Sequence, residues 1–172
     1  MIYAFEGKSP RIHPSAYIAP EAIVIGDVEI GEDANIWPGA VLRGDVGRIV
    51  VGARTNLQDN CVVHVDTGGE TVLGDDVAVG HMAMLHSCRI GDACLVGMSA
   101  TVLSRSVVGE GSIVAGGAVV LQGQEIAEFS LAAGVPAQAK RQLGRETRED
   151  RVRHAASYVE LARRHRAGLT AL

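Results

Sequence analysis

The chain is expected to fold as an all-β solenoid, a stack of short parallel strands wound into coils, and three observations lead there. First, aliphatic residues recur at six-residue steps: Ile12, Ile18, Val24, Ile30, Ile36 and Leu42; Val51, Leu57 and Val63; Leu73, Val79 and Leu85; then Ile90, Val96, Val102, Val108, Val114, Val120 and Ile126. Second, a small or β-branched residue stands four positions after most of them, as at Ala16, Ala22, Val28, Ala34, Ala40, Thr55, Ala83, Ala100, Ser112 and Ala118. Third, only 3% of the 172 residues are aromatic although 47% are hydrophobic, which suits a thin aliphatic interior. A period of six is neither helical nor simply alternating, so it belongs to a repeat architecture.

A unit of six with one large and one small apolar residue cannot bury a face alone, but stacked units can. Three units per coil of eighteen residues place each aliphatic above its counterpart one coil away. Taken in order, residues 1–11 read as a lead-in strand or cap, and the coils run from about Ile12 to about Leu131. Ala133-Gly-Val-Pro-Ala137 supplies a terminating turn. From Thr147 the period becomes helical, with Val152, Ala155, Ala156, Val159 and Ala162 on one face. Thr147 and Asp150 resemble a capping box, and Arg163, Arg164 and Arg166 suit the far end of the helix dipole. Residues 1–136 therefore form the solenoid and residues 137–172 a helical tail lying along it.

Residues added to a regular coil are not needed to build it, so interruptions mark where chemistry belongs. Leu42 to Val51 has three extra residues around Arg43-Gly-Asp45; Val63 to Leu73 has four around Asp66-Thr-Gly-Gly-Glu70; Leu85 to Ile90 is one short. His64 and His86 each follow a core position directly, and their separation of 22 is one coil plus the four inserted residues. They should stack at the strand spacing of about 4.8 Å, and two such imidazoles can share a metal ion. His81 lies five residues before His86, on the order of 16 Å along a strand, too far to reach the same ion within its own chain. A neighbouring copy in a threefold assembly would bring it there, so the spacing predicts a shared site and a homotrimer. His13, His154 and His165 read as surface histidines.

The succession Arg43-Gly-Asp45, Gln58-Asp59, His64, Gly80-His81 and His86 resembles the γ-class carbonic anhydrases, a branch of the hexapeptide-repeat proteins. The hexapeptide-repeat resemblance covers about three quarters of the chain. It implies a left-handed parallel β-helix of triangular section, with His64, His81 and His86 binding Zn2+ (Fe2+ or Co2+ in some conditions) at trimer interfaces. It further implies reversible hydration of CO2 to bicarbonate by a metal-activated hydroxide, with Gln58 orienting the reactants. Arg43, Asp45 and Asp59 would form a charged network across the interface, and Tyr158 would approach the metal from the terminal helix. The prototype carries a Glu directly after the Arg-x-Asp motif and a glutamate-bearing loop after the first histidine. Here Val46 and the brief Asp66–Glu70 segment stand instead, leaving Glu70 or buffer to export the proton.

Charge and cysteines set outer bounds. Net charge is −4, but residues 1–136 carry 7 basic and 16 acidic side chains against 9 and 4 in residues 137–172. A basic helix against an acidic solenoid accounts for that asymmetry better than nucleic-acid binding, since Tyr158 is the one aromatic among the charges. The N-terminal segment lacks the pattern of an export signal and no stretch is long enough to span a bilayer, so a cytoplasmic protein without a membrane partner is expected. Three cysteines argue against a disulfide scaffold; Cys61 and Cys94 occupy small core positions, and Cys88 has no assigned role. Rival functions are an acyltransferase on the same scaffold, which needs one histidine and no metal trio; a CoA-thioesterase, in which a zinc hydroxide would attack the thioester; and a non-catalytic metal-binding trimer.

Overall fold

A computed structural model describes residues 1–170. Strands pair in parallel at offsets of about one coil, giving a β-solenoid of about seven turns closed by one helix, the architecture of a left-handed hexapeptide β-helix. Seventeen of the nineteen six-step aliphatics are buried; Ile12 and Ile18, in the first coil with nothing stacked beneath, are only partly covered. The small positions are buried throughout, because the narrow section leaves room for one large and one small side chain per side.

The coil has three faces. One carries Val62–His64 beside Met84–His86, Thr101–Val102 and Val119–Val120; a second carries Glu70–Leu73, Arg89–Ile90, Val107–Val108 and Glu125–Ile126. The long strand Val41–Val51 bends around the corner between them and pairs with both. The third face runs from Tyr17–Ile18 through Asn56–Leu57, Ala78–Val79 and Leu95–Val96 to an antiparallel hairpin, Ser130–Ala133 with Gln138–Gln142. The first two interruptions of the repeat stack on one another: Gly68 N–H donates to the Val46 carbonyl (2.7 Å) and Arg48 N–H to the Gly69 carbonyl (3.0 Å). A Cβ at Gly47 would stand 2.4 Å from the Gly69 oxygen, so only glycine permits that approach.

The helix, Glu146–Gly168, buries Ala155, Val159 and Ala162 against the third face. Its arginines meet the solenoid's acids as the charge asymmetry suggested: Arg148 with Glu110 at 2.6 Å and Arg163 with Asp33 at 3.2 Å, while Arg166 donates to the carbonyls of Ser15 and Ala16. Two local expectations fail. The helix starts one residue before Thr147, with Arg145 at the cap and no side-chain cap; Thr147 gives its hydroxyl to the Gly144 carbonyl instead (2.7 Å). Ala156 is exposed, because the buried face follows Ala155, Val159 and Ala162. No helix among the described residues is long and apolar enough to cross a membrane.

Cys61, Cys88 and Cys94 are all buried in the core, and burial pushes each thiol up to about 12. Thiolate is the reactive form, so none of the three should react with a disulfide reagent at pH 8 in the native protein. All three should react once guanidinium unfolds it, as counted by released chromophore.

Candidate metal centre

The stacking of His64 on His86 is present in the register: the two Cα positions are direct partners in adjacent parallel strands. Their ring centroids are 5.2 Å apart, and Nδ1 of His64 faces Nε2 of His86 at 3.2 Å. The outer nitrogen of each ring is held. His64 Nε2 lies 3.1 Å from Asp45 Oδ1, and a carboxylate only accepts, so that nitrogen carries the proton. His86 Nδ1 lies 2.9 Å from Ser104 Oγ and 3.7 Å from Asp66 Oδ1, so a proton on that nitrogen faces two acceptors. With the proton of each ring on its outer nitrogen, both facing nitrogens present lone pairs to one point, an arrangement that repels unless a cation lies between them. Their separation is close to the roughly 3.3 Å between two nitrogens on a tetrahedral ion with Zn–N near 2.0–2.1 Å. The donor set fits a borderline divalent metal.

Asp45 also pairs with Arg43 (2.6 Å). Burial pushes the Asp45 carboxyl up, but the Arg43 guanidinium and His64 outweigh it and hold the group below the usual carboxylate range. Asp66 is likewise held low, by the hydrogen bond from Ser104 against a smaller effect of desolvation.

His81, Asp59, Gln58 and Tyr158 gather at the other edge of the same face. His81 stands in the corner between Ala78–Val79 and Met84–His86, half-exposed, with its Nδ1 2.8 Å from Asp59 Oδ2. Gln58 is buried, and its amide N–H donates to Asn56 Oδ1 at 3.1 Å. Tyr158 packs edge-on against Trp37, ring centroids 5.7 Å apart, and shares with Gln58 a cavity of about 250 Å3. Burial, reinforced by the negative charge of Asp59, raises the Tyr158 phenol and keeps it a donor. One chain thus carries two separate histidine clusters at opposite edges of one face, and among the described residues no three metal-donor side chains converge within it.

Sequence reading missed Ser104 and Asn56. Ser104 follows His86 by one coil of eighteen residues and Asn56 precedes Gln58 by two, signals visible only once the coil geometry is known. Glu70 forms an ion pair with Arg89 (2.8 Å) on the neighbouring face.

The bacterial transferase hexapeptide pattern (six repeats) matches residues 9–44 and 87–122. A probable carbonic anhydrase of Methanocaldococcus jannaschii is 47% identical over 88% of this chain and 95% of its own length. The chain belongs to the hexapeptide-repeat family of γ-carbonic-anhydrase-like proteins. Members of this family carry other names too. The carnitine operon protein CaiE of Proteus sp. is 42% identical over 98% of this chain and 85% of its own. A crystal structure from Bacillus cereus described as a candidate acetyltransferase superposes with a TM-score of 0.93 at 40% identity, covering 97% of each chain. The chain spans 59% of the length of the mitochondrial γ carbonic anhydrase 2 of Arabidopsis thaliana, at 43% identity over 92% of this chain.

Proposed function

We propose that this chain is a metal-dependent carbonic-anhydrase-type enzyme, a homotrimer whose three interfaces each take His64 and His86 from one copy and His81 from the next. The observation that carries the reading is the pair of imidazole nitrogens facing each other at 3.2 Å, each with its outer nitrogen already engaged. Outer partners that fix ring orientation are what ligating histidines require, and Asp59 provides the third for His81. Exposed Met82 and Met98 (60% and 59%) beside the His81 half-site, with exposed Val62 just ahead of His64, support burial of this face against another copy.

Zinc is the ion proposed, with iron or cobalt accommodated by the same nitrogen set. A divalent cation there supplies Lewis acidity that brings the pKa of a coordinated water close to about 7. The chain's own groups do the rest. Asp45, anchored by Arg43, keeps the His64 proton on Nε2; Ser104 and Asp66 do the same for His86 on Nδ1, and Asp59 for His81. Gln58, its N–H given to Asn56, keeps its amide oxygen as an acceptor beside the reaction site, and Tyr158 offers an O–H donor. Leu95 and Met98 line the same cavity and give CO2 an apolar wall.

The test is anaerobic purification with metal analysis, then stopped-flow CO2 hydration on zinc- and iron-loaded protein. The reading predicts about one metal per chain, with hydration lost on chelation and regained on reloading. Metal at full occupancy with background hydration would leave a metal-binding trimer without this activity. Metal-free protein that consumes a CoA thioester would favour acyl transfer, the chemistry in the description of the Bacillus cereus relative.

A further inference from the structure

We propose that His154 is the proton-relay residue of this site, carrying to solvent the proton released when CO2 and water become bicarbonate and H+. The inference rests on the CO2-hydration reading above. Each turnover yields one proton that must leave, and the side chains at the positions expected to export it do not serve: Val46 cannot carry a proton, and Glu70 is tied to Arg89 on another face. His154, read from sequence as a surface residue among arginines, lines the same cavity of about 250 Å3 as Gln58, Gly80, Met98, Arg151 and Tyr158. Gln58 directly precedes Asp59 and Gly80 directly precedes His81, so the cavity abuts the half-site. At roughly 30 Å3 per water it has room for several waters in a chain.

The His154 ring stands edge-on to Tyr158, centroids 5.1 Å apart, and is partly exposed, so it touches both the cavity and solvent. Burial, with the positive charge of Arg151, holds its imidazole below the ordinary range. The polar and charged groups that line the cavity with it are Arg151 and Tyr158 on the helix and Gln58 on the solenoid; Gly80, Leu95, Gly97 and Met98 add no charge. At neutral pH the ring is therefore uncharged. One nitrogen takes a proton from the water chain, the imidazolium forms, and the proton passes to bulk water or a buffer base, which restores the neutral ring. A ring held neutral by burial and Arg151 has a lone pair free to accept the proton and gives it up readily to water or buffer.

The experiment is His154→Ala and His154→Gln in the zinc-loaded trimer. Metal content, sedimentation and kcat/KM for CO2 should stay at wild-type values, while kcat in dilute buffer falls about tenfold or more. Added imidazole or concentrated buffer should restore it. Independently of activity, the NMR titration of the His154 imidazole in wild-type protein should move to lower pH when zinc is loaded. An unchanged kcat in dilute buffer, a parallel fall of kcat and kcat/KM without imidazole rescue, or a titration indifferent to zinc would each overturn the proposal. Background hydration by the zinc-loaded wild type would instead defeat the reading of the site itself, and the relay with it.

Discussion

His81→Ala should strip the metal from all three interfaces at once while leaving the solenoid folded. The side chain is half-exposed at a corner and contributes nothing to the core, so folding has little to lose. Structural zinc sites are worth about 10–16 kcal/mol; one of three nitrogen ligands then accounts for about 4 kcal/mol, roughly a thousandfold in affinity. Metal retained per chain after dialysis, alongside circular dichroism and sedimentation, checks it. Wild-type metal content in the variant would remove His81 from the ligand set.

The second large effect is on stability. Leu85 is fully buried, stacked between Val63 and Val102 in the adjacent coils. Leu85→Ala should cost about 2–5 kcal/mol, at the upper part of that range because strands locked in backbone ladders cannot close around the void. In a solenoid each coil contacts only its neighbours, so the loss falls on the coils that carry His64 and His86. A lower guanidinium midpoint with unchanged slope is expected, accompanied by weaker metal binding. Ile18→Ala, in the partly covered first coil, should cost less.

These two sites show which parts of the molecule were legible in the chain alone. The interior follows from arithmetic: a fixed six-step period leaves Leu85 no direction but inward, and the 22-residue separation of His64 and His86 leaves their rings no register but a stacked one. Cross-coil side-chain bonds are another matter. That Ser104 supports His86 depends on hydroxyl orientation, which spacing does not encode. The helix lies further beyond reach. Where it docks decides that His165 packs on Trp37 at 4.9 Å and that His154 lines the cavity of Gln58; its periodicity alone left both among solvated arginines. Thr147 has the chemistry of a cap, yet the helix opens at Glu146 and the Thr147 hydroxyl goes to the Gly144 carbonyl, a choice that composition does not encode.

The central claim is that each site is divided between two copies, and mixed trimers test it most directly. Chains carrying His81→Ala and chains carrying both His64→Ala and His86→Ala should each be metal-free and inactive alone. Co-expressed in equal amounts, they form trimers in which every mixed assembly has one intact interface of three. Random mixing then restores about a quarter of wild-type metal and CO2 hydration. Recovery of neither in verified mixed trimers would contradict a ligand set shared across the interface.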